Sequence, residues 1–112
     1  MSRNMSFMLT TDQVENRTKT VTRRLGWLFL KPGDVLNAVE KGQGLKKGER
    51  VRKICPIRIL SVRREPLFDI TDEEVKKEGF PFWGRMDFIK MFMKHNNCGP
   101  DIVVTRVEFE YL

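Results

Sequence analysis

The sequence has few residues of the kinds that crosslink small proteins or hold metals: two cysteines and one histidine in 112 residues. Cys55 lies inside a strand-like run and Cys98 in a turn-like segment, and two cysteines do not make a disulfide framework. His95 and Cys98 have the spacing of zinc ligands, but a closed structural site needs four ligands and only Cys55 would add another. We therefore expect two reduced thiols, no metal and no cofactor.

Long apolar stretches are also missing. No window approaches the roughly 20 apolar residues that a membrane-spanning helix needs, and residues 1–10 contain no apolar run of signal-peptide length. These absences predict a soluble, cytoplasmic protein without a membrane partner. The sequence contains no low-complexity tract, and no internal repeat other than one helix-start pattern that is used twice.

Charged and apolar residues are plentiful by contrast. Apolar residues make up 40% of the chain and charged residues 32%, which is typical of a globular protein rather than a disordered one. The length suits a single domain, residues 1–112, with a core that needs no crosslinks. Twenty-one Lys and Arg against fifteen Asp and Glu give a net charge of +6, which favours polyanionic or phosphate-bearing partners.

The segment 17–24 contains four cations, three threonines and a single apolar residue. It is too polar for a core strand, and its β-branched residues give it a low helix propensity. Such a segment belongs at a surface or in a cleft, where its cations can hold an anion and its hydroxyls can donate, accept or attack. A solvated edge strand, whose charges discourage aggregation, is the alternative interpretation.

Two segments carry the pattern of a helix start. A threonine side chain caps the first turn, a Gln or Glu three residues later bonds back to the cap residue, and two flanking apolar residues pack together as a hydrophobic staple. These residues are Thr10, Gln13, Leu9 and Val14 in the first segment, and Thr71, Glu74, Ile70 and Val75 in the second.

Glu78 is the last residue of the second predicted helix, because Gly79 ends it and Pro81 prevents its continuation. The negative end of the helix dipole disfavours a carboxylate there. A cation from the segment 17–24 would be a suitable partner for Glu78. A merely exposed glutamate is the alternative.

The remaining patterns predict a turn at 31–34, strands at 35–39, 54–64 and 103–111, and a helix at 85–95. We expect the apolar segment 25–30 to be buried, Pro56 to mark an edge or a bulge, and 103–111 to be a half-buried strand. The basic segment 41–53 reads as a loop. This order predicts an α+β fold: a small barrel of about five or six mostly antiparallel strands with two or three flanking helices.

Residues 19–24, Lys-Thr-Val-Thr-Arg-Arg, resemble the K-T-x-T-x-R signature of ASCH domains, which belong to the PUA-like superfamily. Residues 31–34 occupy the turn that follows this motif in the family. Residues 72–80 resemble its helix and E-G-F segment, and residues 104–109 resemble its closing strand. The resemblance covers most of the chain, and the motifs occur in the family's order and spacing.

This resemblance implies a partly open β-barrel with a cleft lined by the signature. One branch of the family comprises small amidohydrolases that remove the acetyl group from N4-acetylcytidine with a lysine, a threonine and a glutamate. By position these residues correspond to Lys19, Thr22 and Glu78. We expect the neighbouring Thr20, Arg23 and Arg24 to contact the substrate.

Two positions in or beside the signature need structural tests. The family commonly has glycine two residues before the lysine, where this chain has Arg17, and a side chain there is expected to narrow or recharge the cleft. Residues three apart on a regular strand point to opposite faces. Lys19 and Thr22 therefore share a site only if the backbone is irregular near Thr20 or Val21.

The chemistry of amide hydrolysis leaves several roles open. Thr22 would act as the nucleophile or orient a water molecule. Lys19 would act as a base if burial beside Arg23 or Arg24 lowered its pKa, or would stabilise the oxyanion if it stayed charged. Glu78 would hold the lysine or relay a proton to the leaving nitrogen.

A non-catalytic RNA- or DNA-binding module, or a ribonuclease, is the competing function, since other ASCH proteins are thought to act on or bind RNA. In that case aromatic residues such as Trp27 or Trp83 would stack on bases. Cations would contact the phosphates. These cations are Arg23, Arg24, Lys46, Lys47, Arg50 and Arg52.

Overall fold

The computed structural model describes residues 3–41, 48 and 50–112. Within these residues one sheet of five strands has the order β1-β3-β4-β5-β2. The strands are β1 (Arg3–Ser6), β2 (Val21–Arg24), β3 (Val35–Val39), β4 (Lys53–Pro66) and β5 (Val103–Tyr111). The α-helices are α1 (Thr11–Glu15), α2 (Asp72–Lys77) and α3 (Arg85–Asn96), with 3₁₀ turns at Met8–Thr10 and Leu67–Asp69. The predicted α+β class is confirmed.

The sheet is mostly antiparallel, as predicted. β3, β4, β5 and β2 pair antiparallel with their neighbours, whereas β1 pairs with β3 in parallel. β1 was missing from the sequence prediction, because alternation at Met5 and Phe7 covers too few residues to identify a strand. Both of these side chains are buried, and they fix β1 against the core.

Two irregularities curl the long strand β4. The register shifts between Ala38 and Val39 on the β3 side, next to the pairing of Pro56, so the predicted bulge near this proline is confirmed. On the β5 side the register shifts around Leu60, which is exposed. The second shift brings Val62 back to the core face, where it packs against the buried cluster that contains Ile59.

Two apolar clusters lie on opposite faces of the sheet, and β5 contributes to both. Val107 and Phe109 join the cluster that β1, β3 and β4 form. Val104 joins the cluster formed by α2, α3 and the Leu67–Asp69 turn. The expectation that the strand 103–111 would be half-buried is therefore wrong for its centre, where residues 104–107 are buried on both faces.

The apolar segment 25–30 is largely exposed, so its predicted burial is wrong. Its Leu25, Leu28 and Phe29 side chains are 40%, 69% and 56% exposed, and only Leu30 is buried. Gly26 has a φ of 78° and the adjacent Trp27 has a φ of 53°. Consecutive left-handed residues turn the chain sharply, so the segment forms an exposed loop instead of a core strand.

The turn at 31–34 is confirmed, because Asp34 N donates to Lys31 O at 3.1 Å and Gly33 has a φ of 94°. Helix α3 also agrees with its prediction to within one residue, and its buried face consists of Phe88, Ile89 and Phe92. Among the helices of the described ranges, none is long and apolar enough to cross a membrane.

The two helix-start patterns have different outcomes. At α2, Thr71 Oγ1 accepts a hydrogen bond from Glu74 N at 3.2 Å, and Ile70 and Val75 pack in one cluster, as predicted. The expected reciprocal bond from Glu74 is wrong, because its carboxylate accepts from Arg23 and Arg106 instead. At α1, Thr10 makes no side-chain cap bond and Leu9 is exposed, so the predicted cap and staple are wrong. The physical reason is that the Met8–Thr10 turn runs directly into the helix and leaves no extended cap residue.

Candidate functional site

A cavity of about 630 Å³ lies between β1 and β2, the two edge strands of the curled sheet. Its volume falls within the roughly 300–1,000 Å³ of small-molecule sites. The 3₁₀ turn Met8–Thr10 and helix α3 complete its walls. The lining residues are Asn4, Ser6, Phe7, Met8, Leu9, Thr10, Lys19, Thr22, Arg23, Arg24, Leu25, Trp27, Lys41, Glu78, Phe80, Phe88, Met91, Phe92, His95 and Asn96.

Lys19 and Glu78 form a buried ion pair in the wall of this cavity. Lys19 Nζ donates to Glu78 Oε1 at 2.7 Å and to the Glu78 backbone oxygen at 2.8 Å. Only 3% of the lysine side chain and 2% of the glutamate side chain are exposed. The expected partnership between Glu78 and a cation of the segment 17–24 is confirmed.

Close backbone packing brings the end of α2 to the signature. Thr20 N donates to Lys77 O at 2.9 Å, which ties the signature to the last turn of α2. Gly79 follows with a φ of 104°, and a Cβ atom there would lie 2.7 Å from Gln13 Cγ and 3.5 Å from Lys19 Cβ. Only glycine permits both this backbone conformation and this approach.

The expected irregularity between Lys19 and Thr22 is present. Regular pairing with β5 begins at Val21, so Lys19 lies outside the strand while Thr22 lies within it. The Thr20 carbonyl accepts from Phe109 N, and the Lys19 carbonyl accepts from the Tyr111 hydroxyl. Lys19 and Thr22 are consequently both buried and both line the cavity.

Thr22 and Arg24 occupy alternate positions of β2 and lie side by side. Arg24 Nε donates to Thr22 Oγ1 at 3.0 Å, and the Arg24 guanidinium lies 4.6 Å from the centre of the Phe7 ring. Burial lowers the pKa of Arg24 to about 10, against the opposing effect of Glu78. The guanidinium therefore remains a cation at neutral pH.

Arg23 is buried completely and joins three carboxylates. Its Nη1 donates to Glu78 Oε2 at 3.0 Å, and its Nη2 donates to Glu74 Oε1 at 2.9 Å and to Glu65 Oε2 at 3.3 Å. Arg106, directly opposite Arg23 on β5, donates to both oxygens of Glu74 at 2.6 and 3.1 Å. Glu74 thus bridges two arginines that would otherwise repel each other.

The buried environment of Lys19 shifts its equilibrium from the ammonium form towards the neutral amine, relative to a lysine in water. Burial lowers the pKa of Lys19, the Glu78 carboxylate opposes that effect, and the positive charges of Arg24 and Arg23 lower the pKa further. Because Arg23 shares the Glu78 carboxylate, part of the negative charge that would retain the lysine proton is already neutralised.

Arg17 and Thr20 lie elsewhere than expected. Arg17 is exposed and its guanidinium lies 5.4 Å from the centre of the Tyr111 ring, so the expectation that Arg17 narrows or recharges the cleft is wrong. Its φ of 60° falls in the left-handed region, which explains why glycine suits this position. Thr20 is exposed and is not among the described residues that line the cavity.

The cations expected to bind nucleic acid are dispersed. Arg23 has no exposed side-chain surface, and Arg24 lines the cavity. Arg52 is bonded to Glu15 and Glu40 on the surface. Arg50 is exposed, whereas Lys46 and Lys47 lie outside the described residues.

The two tryptophans expected to stack on bases both lie near the cavity. Trp27 lines it. Trp83 stacks on Phe80, with ring centres 4.2 Å apart and planes at 7°, and Phe80 in turn lines the cavity. Aromatic side chains therefore contribute to the cavity lining or stack directly on a lining residue.

The candidate zinc ligands are not brought together. Cys55 packs against the apolar cluster formed by β1, β3 and β4, whereas Cys98 packs against the cluster formed by the helices. His95 is exposed at the rim of the cavity. Within the described residues, no group of three His, Cys, Asp or Glu side chains is arranged to hold a metal ion.

Several site residues had no sequence prediction. The sequence predicted neither β1 nor the Met8–Thr10 turn, so the lining residues in them, such as Asn4 and Ser6, were not identified. The aromatic residues of α3 were interpreted as core, and Phe88 and Phe92 do belong to it while also lining the cavity. The alternating pattern around Arg106 predicted only that it lies in a strand. Nothing in its local sequence indicates that α2 covers that face of β5.

Comparisons with known proteins agree with this architecture. No protein-family model matches the sequence, and no curated protein matches it. Among solved structures, protein EF3133 from Enterococcus faecalis V583, of family DUF984, superposes with a TM-score of 0.72 at 16% identity, over 100% of this chain and 80% of that chain. An ASCH domain from Lactobacillus crispatus JV V101 superposes with a TM-score of 0.66 at 16% identity, over 97% of this chain and 78% of that chain. The chain has the fold of an ASCH domain, as the signature indicated.

Proposed function

We propose that the protein is an amidohydrolase that removes the acyl group from N4-acetylcytidine or a related modified nucleoside. The observation that carries this proposal is the buried Lys19 amine, which two oxygens of Glu78 hold in the same cavity wall as the Thr22 hydroxyl. The resemblance of residues 19–24 and 78–80 to the amidohydrolase branch of ASCH proteins supports the substrate class. The cavity volume suits a nucleoside-sized ligand.

The hydrogen bonds of Lys19 suit a general base. A neutral amine has two hydrogens and one lone pair, and the two Glu78 oxygens accept two hydrogens. The remaining tetrahedral position of Nζ is left for the cavity, where it carries a hydrogen in the ammonium form and a lone pair in the amine form. Burial and the neighbouring arginines lower the pKa of Lys19 and so favour the amine.

The first half-reaction acylates the protein. Thr22 Oγ attacks the acyl carbon of the substrate, its proton passes to Lys19 Nζ, and the carbonyl oxygen becomes an oxyanion. The oxyanion then re-forms the carbonyl as the bond between carbon and N4 breaks. Lys19 returns the proton to N4, cytidine leaves, and an acetyl ester remains on Thr22.

The second half-reaction restores the enzyme. A water molecule attacks the ester carbon and gives a proton to Lys19, and the bond between carbon and Thr22 Oγ breaks. Lys19 returns that proton to Thr22 Oγ, and the acetic acid loses its own proton to solvent and leaves as acetate. Glu78 keeps the Lys19 amine in place through both steps, because it holds the amine through both a side-chain and a backbone oxygen.

The test is turnover of N4-acetylcytidine and its deoxy analogue by the purified protein, followed as release of cytidine or deoxycytidine. Lys19→Ala and Thr22→Ala should each reduce kcat/KM by at least about a thousandfold, and Glu78→Ala should reduce it strongly. Lys77→Ala and Thr18→Ala are matched controls, because both residues are exposed. A folded wild-type protein that releases no cytidine would reject the proposal.

A non-catalytic RNA- or DNA-binding module, or a ribonuclease, is the second candidate. The observation that favours it is the excess of cations in the cavity lining, where the described residues include one carboxylate, Glu78, and four cations, Lys19, Arg23, Arg24 and Lys41. Binding of a short RNA should then weaken steeply as salt increases and should survive Thr22→Ala. Hydrolysis of a neutral nucleoside should instead depend little on salt and be lost in that variant.

A further inference from the structure

Two cations of the cavity lining, Arg24 and Lys41, have no role in the reaction described above, and Arg24 is the one that contacts Thr22. Among the described residues, Arg24 pairs with no carboxylate, whereas Lys19 and Arg23 both bond to Glu78. Glu78 acts on Arg24 without bonding to it and is already bonded to Lys19 and Arg23. A half-buried cation without a bonded counter-charge is unfavourable unless a ligand supplies one. Arg24 is therefore poised to receive an anionic group inside the cavity.

The orientation of Arg24 restricts where this anionic group lies. Its Nε donates to Thr22 Oγ1 at 3.0 Å, and its guanidinium packs against the Phe7 ring. These two contacts occupy Nε and one face of the guanidinium plane. Nη1 and Nη2 form a fork that makes no hydrogen bond to any residue in the described part of the chain. Such a fork matches the geometry of carboxylates and oxyanions.

We propose that the guanidinium fork of Arg24 binds the oxyanion that forms when Thr22 attacks the substrate, and then the carboxylate of the released acid. The inference rests on the proposed amidohydrolase function. After attack, the oxyanion is separated from Thr22 Oγ by the acyl carbon alone, so it forms next to the group that already bonds this hydroxyl. A 5′-phosphate of the same nucleoside would lie at its opposite end, away from Thr22 and Arg24.

This assignment gives the two cavity cations beside Thr22 different tasks. Lys19 must lose and regain a proton, so it cannot remain a fixed positive charge throughout the reaction. Arg24 keeps its charge at neutral pH, and the Phe7 ring and the Thr22 hydroxyl hold it before substrate arrives. Fixed donors of this kind stabilise developing charge without reorganisation during the reaction.

The kinetic test compares Arg24→Met with Arg58→Met, which removes an exposed cation outside the cavity. Arg24→Met should lower kcat by about 100- to 1,000-fold with little change in KM, because the oxyanion exists only after attack. Arg58→Met should change neither. An unchanged kcat, or a higher KM at unchanged kcat, would overturn the proposal.

Acetate binding provides a second measurement that does not depend on turnover. Isotope-labelled acetate, titrated into the protein and followed by NMR, should bind the wild type and Arg58→Met. It should bind Arg24→Met at least about tenfold more weakly, since the fork is lost. Equal binding to the wild type and to folded Arg24→Met, or no binding to the wild type, would overturn the carboxylate site.

The two measurements separate the proposals. A wild type that fails to turn over N4-acetylcytidine rejects the amidohydrolase function, while acetate binding still decides whether Arg24 forms an anion site. If Arg24→Met does not fold, Arg24→Lys decides. It keeps the charge but loses the fork, so kcat should fall at least about tenfold, and an unchanged kcat would overturn the oxyanion role.

Discussion

Arg23 Nη1 donates to Glu78 Oε2 at 3.0 Å, the carboxylate oxygen that Lys19 leaves free. Each oxygen of this buried carboxylate therefore has its own cation. The arrangement keeps Glu78 from turning away from the lysine, and it links the cavity wall to Glu74 and Arg106 behind it.

Arg23→Met should destabilise the fold by about 3–5 kcal/mol, because it leaves buried carboxylates without their partner. Arg63→Met is the matched control. Arg63 bonds Glu65 from a side chain that is 59% exposed, and its loss should cost about 0–1 kcal/mol. Urea denaturation of both variants measures the difference, and equal losses would contradict it. If Lys19 is the base, Arg23→Met should also raise its pKa and move the rising limb of activity to higher pH.

The acid stability of the protein should depend on Glu74. Hydrogen bonds from Arg106, supported by Arg23, lower the pKa of Glu74 from 4.5 to about 2 although burial opposes them. Because the folded-state pKa lies below the unfolded-state value, this stabilisation is complete above pH 4.5 and is lost as the pH falls towards 2.

The corresponding variant is Glu74→Gln. It should be less stable than the wild type at pH 7, and the gap between their urea midpoints should shrink as the pH falls from about 5 to about 2. Glu73→Gln, at an exposed position of the same helix, should show a small gap at every pH. A gap for Glu74→Gln that stays constant down to pH 2 would contradict the assignment.

Gly79→Ala and Gly33→Ala should separate backbone strain from steric overlap. Both glycines have positive φ, 104° and 94°, so each variant should lose about 1–2 kcal/mol from strain. At Gly79 the new methyl group would also lie 2.7 Å from Gln13 Cγ, whereas at Gly33 nothing lies within 4 Å. Overpacking should add about 1–3 kcal/mol at Gly79.

The measurements for this pair are thermal denaturation and cytidine release. Gly79→Ala should be less stable than Gly33→Ala and should be impaired in turnover, because the shift reaches Lys19 and Glu78. Identical stability of the two variants would mean that the approach of Gly79 to Gln13 does not constrain the site.

Arg17→Gly should leave the protein as stable as the wild type or about 1 kcal/mol more stable. Glycine removes about 1–2 kcal/mol of left-handed backbone strain from the folded state. Its greater conformational freedom in the unfolded chain cancels about 0.5–1 kcal/mol of this gain. Turnover should be unchanged, because Arg17 does not line the cavity. Thermal denaturation and KM test both statements, and a several-fold change in KM would mean that Arg17 acts on the substrate.

Local sequence signals predicted the elements that local interactions determine. The turn at 31–34, helix α3 and the start of α2 follow from residues that are close in the chain. The meeting of Glu78 with a cation of the segment 17–24 was also predictable, because a carboxylate at a helix C-terminus gains nothing from the helix itself.

The missed features depend on contacts between distant residues. β1 is a strand because it pairs in parallel with β3, about thirty positions away, and its own four residues carry too weak a pattern. Arg106 alternates as a solvent-facing residue would, yet α2 covers that face and supplies Glu74. The positive φ angles of Gly26 and Trp27 turn the segment 25–30 towards solvent, and the apolar composition of the segment does not predict such angles.

The edge strands β1 and β2 of the curled sheet flank the cavity. Among residues 3–41, 48 and 50–112, β1 and β2 each pair with a neighbouring strand on one side only, so their other sides carry main-chain amides and carbonyls without a strand partner there. A ligand in the gap between these strands can be bound by peptide groups, which substitutions other than proline leave in place. Ligand binding by the main chain of β1 and β2 would therefore tolerate most side-chain substitutions in these strands. Direct hydrogen bonding between β1 and β2 would close the gap and remove the binding space.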